Sequence, residues 1–219
     1  MTPDDPQPIG LLGGSFDPIH AGHLQLARDA SAQLGLAQVL FVPAGVAWQK
    51  GPAAPAAHRA RMVEISIASD PRWALDSREL QRPGPSFTVD TLRQLRQQVG
   101  ERVALVLLIG ADQFQQLDTW SRWEQLIDLA HLGVAERPGH PADLKPTLAT
   151  LRSARLGSVA DLRRRPAGVL VQIAMSPVDC SSTRIRSLLA SPSSRADPSL
   201  ATMLAPGVLD YIRQHGLYL

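Results

Sequence analysis

Apolar positions alternate between short unbroken runs and helical spacing. The run Ile9-Gly10-Leu11-Leu12 stops at Gly13-Gly14, a pair that predicts a turn. Leu24, Ala27, Ala30 or Ser31, and Leu34 then share one helical face, with Gly35 where a helix-ending glycine belongs. Val39-Leu40-Phe41-Val42, closed by Pro43, predicts the next strand, so the chain opens as strand, turn, helix, strand. Residues 43–60 are rich in Ala, Pro and Gly and predict a long functional loop, overlapping a helix predicted from about His58 to Ser69. Trp73-Ala74-Leu75 suggests a short strand. Thr88–Val99 predicts a helix with Val89, Leu92, Leu95 and Val99 on one face. Val103–Ile109 is apolar throughout, as a strand buried on both faces should be. A helix carrying Phe114, Leu117, Trp120 and Leu126 should follow, then a strand at His131–Ala135. Residues 136–166 predict irregular structure, and Val169–Ala174 a last strand. Short helices are expected at Ser182–Leu189 and Pro206–His215. Alternation of this kind predicts an α/β fold, a doubly wound parallel sheet with helices on both faces and a small helical part at the C-terminus. Residues 1–8 are expected to be a flexible tail and 9–219 a single domain.

Composition narrows the class. The 219 residues are 44% hydrophobic and 19% charged, which excludes an intrinsically disordered chain. The 22 basic and 20 acidic side chains leave a net charge of +2, and the aromatic content is low, so nothing points to a nucleic-acid groove. The single cysteine, Cys180, excludes an internal disulfide and a Cys-rich metal site. No apolar run is long enough to cross a membrane, and Met1–Pro8 lacks the apolar stretch of a signal peptide. A cytoplasmic protein without a membrane partner is expected.

The richest chemistry lies in Gly13-Gly14-Ser15-Phe16-Asp17-Pro18-Ile19-His20-Ala21-Gly22-His23. It follows the first strand and opens the first helix, where ligands of doubly wound sheets sit. Gly13 and Gly14 permit close approach of backbone to a ligand. A helix beginning near Gly22 would offer N–H groups and a positive dipole end to phosphate. His20 and His23, three apart, would project to one side and donate hydrogen bonds to phosphate oxygens. Asp17 before Pro18 reads as a turn opener. In Ser182-Thr183-Arg184-Ile185-Arg186, Ser and Thr suit a helix N-cap, and Arg186 can turn to the same anion. Lys50 could reach a phosphate or stay solvated. Asp112, at the end of the apolar strand, suits ribose hydroxyls or a helix cap. Cys180 reads as a small buried filler, without a histidine close to it in sequence.

The first segment resembles the GG(T/S)FDPxHxGH signature of the nucleotidylyltransferase superfamily, and the rest of the chain resembles its nicotinate-nucleotide adenylyltransferase branch. The matching stretches run in order: Val42-Pro43 with the loop to Lys50, His58-Arg59 with Met62, Glu79-Leu80 to Arg82, Gly84-Pro85-Ser86-Phe87-Thr88 with Asp90-Thr91-Leu92, Ile109-Gly110-Ala111-Asp112, Trp120, Arg137-Pro138-Gly139, Ser181–Arg186, Val208–Ile212 and His215–Tyr218. Three departures stand out. Ala47-Trp48-Gln49-Lys50 replaces a common Pro-Pro-His-Lys, Phe87 replaces a usual Tyr, and Cys180 an aliphatic residue.

The resemblance implies a Rossmann-like fold and transfer of the adenylyl group of ATP to nicotinate mononucleotide, with Mg²⁺ held mainly by the ATP phosphates and no metal ligands from the protein. It implies that His20, His23, Lys50 and Arg186 serve catalysis. Gly13, Gly14, Ser15, Phe16, Gly110, Asp112, Ser182 and Thr183 would join His20, His23 and Arg186 in holding ATP. Ser15, Lys50, Ser86, Phe87, Thr88, Trp120 and Arg137 would hold the acceptor. Trp120 would stack on the pyridine ring, although its size also suits a core position. Arg137 would bind phosphate or form a surface ion pair. A monomer or small homo-oligomer is expected.

Overall fold

The computed structural model describes residues 7–46, 54–136 and 144–219. Its elements, in chain order, begin with β1 (Ile9–Gly14), α1 (Ala21–Leu34), β2 (Gln38–Pro43), α2 (Ala56–Ile67), β3 (Trp73–Leu75), α3 (Arg78–Gln81) and α4 (Thr88–Val99). There follow β4 (Leu105–Gly110), α5 (Ala111–Phe114), α6 (Leu126–Leu129), β5 (His131–Glu136), α7 (Pro146–Arg155), α8 (Val159–Leu162), β6 (Leu170–Ala174), α9 (Ser182–Ala190), α10 (Ser199–Met203) and α11 (Val208–Gln214).

Six strands form one sheet in the order β3-β2-β1-β4-β5-β6. β1 pairs with β4, β4 with β5 and β5 with β6, all in parallel. The order reverses between β1 and β4, the switch point at which doubly wound folds bind ligands beyond the strand ends. The expected Rossmann-like α/β architecture is therefore present. No helix among the described residues is long and apolar enough to cross a membrane.

The chain forms two compact units, each drawn from three stretches. The first comprises the chain up to Gly13, Leu26–Leu40 and Phe87–Ser176. Its centre is β4, where Leu105, Val106, Leu107, Leu108 and Ile109 are all buried, flanked by Leu132 and Val134 of β5 and by Leu170, Val171 and Ile173 of β6. Each such side chain contributes about 1.5–3 kcal/mol on leaving water. Gly35 closes α1 at φ +66°, as its position in the sequence predicts. The second unit comprises Gly14–Gln25, Phe41–Ser86 and Pro177–Leu219. Its core joins Phe16, Ile19, Phe41, Met62 and Val63 with Ile185, Leu189, Leu200, Val208 and Ile212.

Four local expectations are corrected. β1 runs on through Gly13-Gly14, and the turn comes only after it. The single helix expected over Phe114–Leu126 is broken into α5, two short 3₁₀ turns at Leu117–Thr119 and Trp123–Gln125, and α6. Arg122 sits at φ +54°, a left-handed conformation that no continuous helix passes through. Residues 136–166 contain α7 and α8. Pro146 starts α7 with its fixed φ, and Arg152 holds Glu136 of β5 at 2.8 Å. α8 carries a reciprocal capping box between Ser158 and Asp161. Finally, α10 fills part of the region between the two predicted C-terminal helices.

Candidate active site

The second unit brings the two chemical motifs together. After Gly14, Phe16 takes a left-handed backbone at φ +49° and buries its ring to 1% exposure, edge-on to His23 at 5.1 Å. A bulky residue held there is uncommon and marks a segment whose path the surroundings dictate. His20 and His23 stack with ring centroids 3.8 Å apart, on one side of the helix start as expected.

A hydrogen bond fixes which nitrogen of His23 carries the proton: Nδ1 accepts the backbone N–H of His20 at 3.2 Å, so neutral His23 keeps its proton on Nε2. Cys180 Sγ accepts the N–H of Gly22 at 3.2 Å and lies 3.3 Å from His20 Nδ1, a contact in which either partner can donate. Burial pushes the thiol pKa up, so the sulfur keeps its proton. His23 therefore presents an Nε2–H donor. Two expectations change. Cys180 has a histidine partner, brought from 160 residues away, and Gly22 spends its N–H on sulfur rather than offering it to phosphate.

The second motif grips the first. Ser181, not Ser182 or Thr183, caps α9, accepting the N–H of Arg184 at 3.2 Å. Ser182 Oγ instead donates to the carbonyl of Pro18 at 3.0 Å, and Arg186 Nη1 to the carbonyl of Asp17 at 2.7 Å. Thr183 Oγ1 lies 3.5 Å from the other Arg186 terminal nitrogen.

Two groups that the sequence places only in a turn and in a matching stretch stand behind these residues. Asp17 is 4% exposed, and its Oδ1 accepts the N–H of Ala54 at 3.1 Å and the hydroxyl of Tyr218 at 2.7 Å. Arg59 is fully buried and donates to three carbonyls: Ser15 at 2.6 Å, Ala54 at 3.1 Å and Gly45 at 3.1 Å. Gly45 also gives its N–H to Ser86 Oγ at 3.0 Å, and any Cβ on it would strike the Glu79 carbonyl. Ser86 is thus a structural clasp for the loop that Arg59 holds. Desolvation and the neighbouring Asp17 raise the Tyr218 pKa, so it remains a neutral donor.

The first unit carries the other expected residues. Gly13 and Gly110 end β1 and β4. Asp112 is exposed in the first turn of α5, and Gly110 rather than Asp112 occupies the cap position. Phe87 and Thr88 open α4 without a side-chain cap. Trp120 is half-buried, yet its Nε1 is buried with no partner among the described residues, an orphan donor that a ligand acceptor would satisfy. Lys50 and Arg137 lie outside the described residues.

Against known proteins, residues 11–188 match the family model described as cytidylyltransferase-like. The chain is 42% identical over 217 residues to a protein of Dechloromonas aromatica, covering 97% of this chain and 98% of the relative. It is 46% identical over 213 residues to one of Laribacter hongkongensis, covering 96% and 94%. Both carry the name "probable nicotinate-nucleotide adenylyltransferase". The chain belongs to the cytidylyltransferase-like family, in its nicotinate-nucleotide adenylyltransferase branch. Among solved structures, the nicotinic acid mononucleotide adenylyltransferase of Plasmodium falciparum, complexed with NaAD, has the same fold, with a TM-score of 0.73 at 17% identity over 97% of each chain.

For a cytidylyltransferase-like protein, the charge state of the histidine pair matters. Burial lowers the His20 pKa from 6.5 to about 4. His23 is also held well below its ordinary value, by burial and then by the proximity of His20. Both are neutral at pH 7 in the free chain. Below pH 6.5 the unfolded chain takes up protons that the folded one refuses, so stability is full above that value and falls as pH drops toward 4. The urea midpoint should decline between pH 7 and 5, and His20→Gln should make the decline shallower. A midpoint constant over that range would contradict the assignment.

Proposed function

We infer that this protein joins nicotinate mononucleotide to the AMP moiety of ATP, giving nicotinate adenine dinucleotide and diphosphate. An oxygen of the acceptor phosphate attacks the α-phosphorus of ATP, and the bond to the β-phosphate bridging oxygen breaks. The acceptor phosphate is already ionised, so no strong general base is required. Catalysis is positioning and stabilisation of spreading charge. The observation that carries this reading is the pairing of two stacked neutral imidazoles with an α9 start whose Ser182 and Arg186 are tied to the same Asp17-Pro18 turn.

His20 and His23 would donate to the phosphate oxygens that gain charge. The α9 N-terminus with Thr183 and Arg186 would receive the departing diphosphate. The peptide groups of Gly13, Gly14, Ser15 and Phe16 would line the path of the nucleotide, and Gly110 and Asp112 would meet its ribose. Phe87, Thr88 and Trp120 would receive the nicotinate ring, with the unpartnered Trp120 N–H offered to an acceptor oxygen. Lys50 and Arg137 would add positive charge to the acceptor phosphate. Among the described residues no group of three His, Cys, Asp or Glu side chains is gathered to hold a metal, and Asp17 is engaged by Ala54 and Tyr218. Magnesium would therefore enter on the ATP phosphates, completing its shell with water, where it neutralises charge.

Diphosphate release with ATP and Mg²⁺ tests the reading, with nicotinate mononucleotide, nicotinamide mononucleotide or no acceptor. Release should favour the nicotinate form by at least about tenfold in kcat/KM, because an amide in a carboxylate site leaves buried polar groups mispaired. Equal release would discard carboxylate recognition, and no release would discard the reaction.

A further inference from the structure

The cluster Arg163-Arg164-Arg165 has no place in this chemistry. It lies in the first unit, on the stretch between α8 and β6. Together with Arg102, Glu101 and Gln7 it lines a cavity of about 430 Å³. Residues next to the starts of β1 and β4 contribute to the wall, so the cavity opens at the amino ends of the strands, not at the carboxyl ends where doubly wound folds bind their substrates.

The walls are fixed. Leu162 is fully buried beneath the capping box of α8. His131, itself buried, accepts the N–H of Val169 on Nδ1 at 3.1 Å, so its Nε2–H donates to the carbonyl of Arg165 at 2.9 Å. Arg96 donates to the carbonyls of Pro166 at 3.0 Å and Val103 at 2.6 Å. Leu105 gives its N–H to Pro166 at 3.2 Å. A solvated loop of arginines would not need its carbonyls tied down at successive positions by a buried histidine and a half-buried arginine.

Four guanidinium groups face one lining carboxylate, that of Glu101. Arg164 lies 3.8 Å from Asp161, but among the described residues Arg102, Arg163 and Arg165 form no ion pair. Like charges held together without a counter-ion oppose the compact state. Guanidinium forks match phosphate oxygens in pairs. A volume of this size falls in the range that takes a small molecule.

We propose that this cavity is a second, non-catalytic binding site for a compact polyanion of the polyphosphate type. Because the backbone is already ordered, the protein's own ordering cost on binding is confined to its side chains.

Calorimetric titration of the full chain with inorganic tripolyphosphate tests it, with nicotinate adenine dinucleotide present at saturation, so that the nucleotide site is filled by a molecule without a terminal polyphosphate. One tripolyphosphate per chain should bind, with an affinity that falls steeply with salt. Arg163→Ala combined with Arg165→Ala should weaken it at least about tenfold, the loss of two charge-assisted forks, and Glu101→Gln should strengthen it. The kcat/KM for ATP and acceptor, without tripolyphosphate, should be unchanged in these variants. Arg102→Gln, a milder change at an exposed position, provides a second reading should the double variant fold poorly. The proposal is overturned by equal affinity in wild type and variants, by binding that disappears when the dinucleotide fills its site, by no binding, or by tighter binding of single-stranded DNA than of tripolyphosphate.

Discussion

Replacing His23 by alanine is expected to lower kcat about a hundred- to a thousandfold, the range seen when one preorganised donor to a developing charge is removed, or about 3–4 kcal/mol of transition-state stabilisation. The effect should fall on kcat more than on KM, because the Nε2–H is aimed where charge grows. Stability should change less. The lost contacts are one hydrogen bond from the His20 N–H, an edge contact with Phe16 and the stack on the His20 ring, a cost of about 2–3 kcal/mol. His23→Asn separates the two effects. Its side-chain oxygen can take the His20 N–H while presenting no donor at the Nε2 position, so stability should recover and rate should not. A folded His23→Ala protein turning over within threefold of wild type would remove His23 from the chemistry.

The second large effect is structural. Arg59→Met should destabilise the protein by about 3–5 kcal/mol, because it strands three buried carbonyls and removes one of the two cations near the buried Asp17 among the described residues, leaving only Arg186 at 4.0 Å. For a chain of this length that is a fall in Tm of about 6–20 °C. Arg59→Lys should recover little of it, since one ammonium cannot reach three carbonyls held by a planar fork. Thermal unfolding followed by circular dichroism reads both variants. A Tm within 2 °C of wild type for Arg59→Met would show that the three carbonyls find other donors.

Arg59 also shows where sequence reasoning reaches its limit. The strands, the ligand-binding ends and both chemical motifs are legible because their signals are local: apolar runs, helical spacing, and glycine or histidine at fixed offsets. The partners of Arg59 and Asp17 carry no such signal, although Asp17 lies in the signature and Arg59 in a matching stretch. Arg59 holds Ser15 from 44 residues away, and Asp17 takes Ala54 from 37 residues away and Tyr218 from 201. Within its own helix Arg59 reads as one more polar position, although a fully buried arginine must be satisfied by something the fold brings to it. The split of the expected helix around Trp120 turns on the left-handed Arg122, which no propensity favours. α7 was hidden because only Leu148 of its ten residues is buried, too little apolar periodicity to read, although Pro146 at its start was a usable sign. The cysteine–histidine contact was hidden for the same reason as Arg59: nearness in space came from packing rather than from spacing.

The hydroxyl of Tyr218 on Asp17 has a consequence for how the protein is made. The signature segment is translated well before Tyr218, which reaches its buried aspartate from 201 residues further along the chain. At about 5–20 residues per second, some 10–40 seconds of elongation separate the two. Any nascent chain cut short in between would contain the whole signature without the Tyr218 hydroxyl that reaches its aspartate in the folded protein.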